Sequence, residues 1–66
     1  MKAYSGKELV RFLEEHGWRV ERIEGSHHIM TKSGREETLS VPVHGSHSLK
    51  IGLIKGILRA AGVGDE

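Results

Sequence analysis

The chain has 66 residues and no cysteine, so it is one small domain near the lower size limit for folding unaided, with neither disulfides nor thiolate metal sites open to it. Ten Lys and Arg against nine Asp and Glu give a formal net charge of +1, too little to mark a nucleic-acid binder by bulk charge alone. No apolar run approaches a membrane span, and Met1-Lys2-Ala3-Tyr4-Ser5 has no signal-peptide core, so a cytoplasmic protein with no membrane association is expected.

Ser5-Gly6-Lys7-Glu8 reads as a capping box that opens a first helix over about Gly6 to His16. Leu9, Val10, Phe12, Leu13 and His16 follow helical spacing, and Gly17 suits the stop. His16 at that end sits favourably against the helix dipole. Trp18-Arg19-Val20-Glu21-Arg22 alternates as a half-buried strand does, with Trp18 a core residue. Ile23 breaks the parity, which calls for a bulge or for the strand's end before Gly25.

A second strand follows over about His27 to Thr31, and Lys32-Ser33-Gly34-Arg35 supplies the chemistry of a hairpin turn. The third strand, about Glu37 to Val43, sets Leu39, Val41 and Val43 on one face, and Pro42 confines it to an edge or an end. His44-Gly45-Ser46-His47-Ser48 is a polar connection. The last helix, about Lys50 to Ala61, carries Ile51, Ile54, Leu58 and Ala61 on one stripe flanked by Leu53 and Ile57. Gly62 is its stop, and Val63 is placed to fold back onto the last turn. Gly52 and Gly56 each cost that helix about 1 kcal/mol relative to alanine; they are either tolerated or mark a close approach. The order is α-β-β-β-α: a single α+β domain over residues 1–66, with a three-stranded antiparallel sheet and both helices on one face.

Chemistry concentrates in Gly25-Ser26-His27-His28, two imidazoles directly after a flexible break. Histidine ordinarily titrates near neutrality and transfers protons there, so His27 and His28 are the candidate catalytic groups. In a regular strand the two point to opposite faces. Gly25 and Ser26 can offer backbone amides to a phosphate. Together with His44 and His47 the pair would make a zinc reading, but this spacing matches no metal motif, so neither metal nor other cofactor is expected. Acidic residues crowd elsewhere and leave Lys32-Ser33-Gly34-Arg35 and the Lys50, Lys55, Arg59 set less neutralised: a basic face, or an ordinary mixed surface.

Four segments carry a resemblance: Leu9-Val10-Arg11-Phe12-Leu13-Glu14-Glu15-His16-Gly17-Trp18, Gly25-Ser26-His27-His28-Ile29-Met30, Val41-Pro42-Val43-His44, and Ile51 through Val63. In this order and spacing the chain resembles the HicA toxin family of toxin–antitoxin pairs. The resemblance implies a fold like the double-stranded RNA-binding domain and a ribosome-independent mRNA interferase. It implies an mRNA substrate and a cognate HicB-type antitoxin. It maps the family's essential histidine most directly to His27, with His28, one place later, as the alternative. Gly25, Ser26, Lys32, Arg35 and Lys50 are the candidate RNA contacts. Metal-free cleavage of RNA needs a base for the 2′-hydroxyl, an acid for the leaving 5′-oxygen and donors for the phosphoryl oxygens. One histidine supplies only one of the first two, leaving the neighbouring imidazole, His44, His47, a lysine or water for the other. The competing readings are a non-catalytic RNA-binding module of the same architecture, which would want a denser lysine cluster, and a small protein-interaction domain.

Overall fold

The computed structural model describes residues 4–63, so the readings made for Met1-Lys2-Ala3 and for the acidic Asp65-Glu66 tail lie outside the described residues. Helix α1 (Gly6–Glu15) opens on the expected capping box. The Ser5 hydroxyl accepts the Glu8 amide at 3.2 Å, and the Glu8 carboxylate accepts the Ser5 amide at 3.0 Å. Its apolar stripe buries Leu9, Val10 and Leu13, with Phe12 packed at the margin. The helix stops one residue short of the expected end. His16 caps it, its Nδ1 2.9 Å from the Phe12 carbonyl at the negative end of the helix dipole.

Strands β1 (Trp18–Glu24), β2 (His27–Lys32) and β3 (Leu39–Pro42) form an antiparallel meander in the order β1-β2-β3. The parity break at Ile23 is a bulge: Val20 pairs with Met30 and Arg22 with Ile29, so Glu21 is the extra residue and β1 runs on to Glu24. The bulge turns Ile23, rather than Arg22, toward the helix-bearing side, opposite His28. Ile23 stays 59% exposed there, beyond the reach of the core.

Strand β3 is shorter than the Glu37 to Val43 expected. Its ladder begins where Leu39 meets Met30, and Glu37 is held in the preceding connection by Arg35. Pro42 satisfies both of its constraints, lying on an edge strand and at its last residue.

Helix α2 (Ile51–Ala61) starts one residue later than expected, with Lys50 as its N-cap. Its buried stripe is Ile54, Ile57, Leu58 and Ala61, at i, i+3, i+4 and i+7. Ile51 and Leu53, read as core or flank from the sequence, are exposed by 39% and 43%, while Ile57 is buried beside Ile54 and Leu58. Among the described residues nothing outside the helix backbone lies within 4 Å of where a Cβ would stand at Gly52 or Gly56. Gly62 adopts the left-handed conformation at φ 76°, and the Val63 amide returns to the Leu58 carbonyl at 3.1 Å, a Schellman stop with Val63 against the core.

Both helices cover one face of the sheet. Trp18, Leu9, Leu13, Met30, Ile54 and Val41 are fully enclosed between the two layers, each worth about 1.5–3 kcal/mol of burial. The other face carries Arg19, Arg22, Ile29, Thr31, Ser40, His27 and Pro42, by their pairing in the ladder, and among the described residues no helix lies on it. Among the described residues no helix is long and apolar enough to cross a membrane.

Candidate active site at the hairpin mouth

The β1–β2 turn, Gly25-Ser26, lies beside the exit of β3. The Val43 amide donates to the Ser26 carbonyl at 2.7 Å and so continues the β2–β3 ladder one step into the turn. Gly25 takes φ 61°, a conformation open to glycine at little cost, and that lets the chain reverse directly before the histidines. From Val43 the neighbourhood extends to the start of α1. Gly6 is pressed so closely on Pro42 and Val43 that a Cβ there would fall 2.0 Å from the Pro42 carbonyl oxygen. Ser5 bridges to Ser48, and the Leu49 amide donates to the Tyr4 carbonyl at 2.8 Å, which brings in the start of α2 at Lys50. The N-terminal ends of both helices thus lie at the same end of the molecule as Gly25-Ser26.

Helix N-termini carry partial positive charge and free amides. In α1 these are engaged by the capping box, and Glu8 adds a negative charge. In α2 no side chain caps the first turn and no acidic residue lies in it, so Lys50 and the open amides act together as an anion-attracting end.

The two adjacent histidines separate as strand geometry requires. His28 pairs with Val41, and Val41 is completely buried, so His28 points to the helix-bearing side. It is half-buried there, its Nδ1 sealed from solvent with no hydrogen-bond partner. A buried ring nitrogen without a partner is rare enough in folded proteins to require a reason. His27 pairs with Pro42 and Glu24 on the bare face and is exposed.

A third imidazole reaches the turn from β3's exit: His44 Nε2 lies 3.3 Å from the Ser26 hydroxyl. His47 follows in the same connection, exposed, its amide donating to the His44 carbonyl at 3.1 Å. Among the described residues no group of three or more His, Cys, Asp or Glu lies close enough together to hold a metal ion.

Lys32 and Arg35 do not join this end. Lys32 closes β2, a strand's length or about 17 Å from the turn, with its aliphatic stem against Gly17. The Arg35 guanidinium donates to the carbonyls of Ala61 at 3.1 Å and Ala60 at 3.0 Å, and to Glu37 at 3.0 Å, while lying 5.6 Å from the centre of the Trp18 ring. It closes the C-terminal end of α2 and shields the core tryptophan, which occupies the donors an RNA phosphate would need. The sequence could show a basic tetrapeptide at this turn but not the helix end that folds onto it. Of Lys32, Arg35 and Lys50, the three basic candidates for RNA contact, Lys50 is the one at the histidine end. His44 is the group whose part the sequence left open; its signal was the Val41-Pro42-Val43-His44 segment.

The family described as HicA toxin of bacterial toxin-antitoxin matches the chain over residues 6–63, from the first residue of α1 to the residue that closes α2. Among curated proteins none matches.

Proposed function

The chain belongs to the HicA toxin family of bacterial toxin–antitoxin systems, and from that membership we propose that it is a metal-independent endoribonuclease, an mRNA interferase that uses His28 as its general base. The observation that carries the reading is the half-buried His28 ring, fixed by its place in the ladder with an orphaned Nδ1, at the end where α2 begins without a side-chain cap. The resemblance by itself pointed first to His27. The arrangement of the two side chains favours His28, because His27 stands on the opposite face, away from the helix ends.

In this reading the RNA phosphate lies near the Gly25-Ser26 amides and the start of α2, with Lys50 balancing its charge. His28 Nε2 removes the 2′-hydroxyl proton, and the oxygen so activated attacks the adjacent phosphorus. General-base assistance of this kind contributes about a hundred- to ten-thousandfold.

The natural restraint on such a toxin is a HicB-type antitoxin. Among the described residues the longest connection, 43–50, is polar and too short to fold over the site as a lid, so a partner laid across the histidine end is the simplest means of silencing. Such a partner would also stabilise a small fold by mass action.

The test is cleavage of mRNA by purified protein, together with growth arrest on expression, both in wild type and in His28→Ala. Cleavage and arrest that disappear together in His28→Ala support the reading. RNA binding with no cleavage in wild type makes the protein a non-catalytic RNA-binding module instead.

A further inference from the structure

Cleavage by a lone base leaves the 5′-oxygen to depart as an unprotonated alkoxide, so a proton donor must stand on the far side of the scissile phosphate from His28. We propose that His44 is that donor, the general acid of the reaction, held in place by the Ser26 hydroxyl. The inference rests on the ribonuclease reading above and adds to it a second catalytic side chain.

Two bonds settle where His44 stands. The Val43 amide is fastened to the Ser26 carbonyl at 2.7 Å, and the His44 carbonyl accepts the His47 amide at 3.1 Å across a turn in which Gly45 takes φ 59°. The backbone is therefore held on both sides of His44, and the side chain is directed to Ser26, with Nε2 3.3 Å from the hydroxyl. Ser26 is the residue from which β2 leads, two positions on, to His28. His28 on β2 and His44 past the end of β3 thus flank the same turn residue. The alternatives lack this placement. His27 faces the bare side of the sheet, the bond the structure gives His47 is a backbone one from its amide to the His44 carbonyl, and Lys50 stands at the N-cap of α2, where its part is to balance the charge of the phosphate.

The step balances without water or any other reactant. The 2′-oxygen–phosphorus bond forms and the phosphorus–5′-oxygen bond breaks; the 2′-hydroxyl proton passes to His28 and a proton from His44 passes to the departing oxygen. The products are a 2′,3′-cyclic phosphate and a 5′-hydroxyl end, and exchange with solvent returns both imidazoles to their starting forms.

A substrate whose leaving atom needs no proton isolates this role. An oligoribonucleotide is made with a bridging sulfur in place of the 5′-oxygen at a mapped cleavage site, and is compared with its all-oxygen counterpart. With the ordinary RNA, His44→Ala and His44→Gln should each lose about a hundredfold or more in rate. With the sulfur-bridged RNA both should recover to within about tenfold of wild type, while His28→Ala, deprived of the base, should recover nothing. A loss of equal size on both substrates, full activity of His44→Ala on ordinary RNA, or rescue by the glutamine, which keeps a hydrogen bond to Ser26 but carries no transferable proton, would each overturn the assignment. If wild type cleaves neither substrate, it is the ribonuclease reading that fails.

Discussion

His28 stands directly opposite Val41 in the β2–β3 ladder, and Val41 is completely buried beneath the helices while His28 remains half-open. The pairing commits the His28 ring to the side of the sheet on which α1 and α2 begin. The same register sends His27 to the other side, opposite Pro42. One ladder contact therefore distinguishes two neighbouring residues of identical chemistry, and each consequence can be measured.

His28→Ala should lower RNA cleavage by about a hundredfold or more, the size of a lost general base. His27→Ala should stay within a few-fold of wild type. Rates of both variants on one RNA, with circular dichroism to confirm folding, decide the matter. The reverse order would move the catalytic role to the bare face of the sheet.

Cleavage should persist in excess EDTA, because the ligand-type side chains among the described residues do not gather into a metal-sized group. Activity restored only by an added divalent ion would contradict this and redirect attention to His44 and His47.

Arg35→Ala should destabilise the fold by about 1–2 kcal/mol, read by urea unfolding, since charge-assisted bonds to the last carbonyls of α2 are lost from a partly exposed site. A pH dependence accompanies it. The hydrogen bond from Arg35, helped by a backbone hydrogen bond, holds the Glu37 carboxyl below its ordinary value. A carboxyl depressed on folding contributes stability that is present above its unfolded value and is lost as pH falls through the folded one. Wild type and Glu37→Gln should therefore differ in melting temperature at neutral pH and converge in acid; a constant offset would argue against the pair.

Gly6→Ala should cost about 2 kcal/mol or more. The added methyl meets the Pro42 carbonyl oxygen and the Val43 backbone, neither of which can turn aside as a flexible side chain would. Thermal unfolding reads the loss. Lower cleavage at a temperature where the variant is still folded would show in addition that the α1–β3 contact aligns the hairpin mouth.

Much of this molecule was local and so legible in the sequence. The Ser5–Glu8 capping box, the left-handed stop at Gly62, the turn at Gly34 and the α-β-β-β-α order depend on residues a few positions apart, whose backbone preferences act before any tertiary contact forms. Helical spacing likewise identified Ile54, Leu58 and Ala61 as core, and strand parity identified Trp18, Leu39 and Val41. That His27 and His28 would face opposite sides was also local, a property of any strand. Which of them would face the helices was not, because it depends on the register with Val41 and on which face of the sheet α1 and α2 cover. Arg35 shows the same limit: its turn read as part of a basic face or an ordinary mixed surface, and nothing local pointed to the carbonyls of Ala60 and Ala61, 25 and 26 residues onward, that rest against it. Ile51 and Leu53 kept the periodicity of core residues but stayed exposed, since spacing along a helix does not say how much of it the sheet covers. Spacing along the chain determines what a residue is able to face, and only the packing of distant segments decides what is there to be faced.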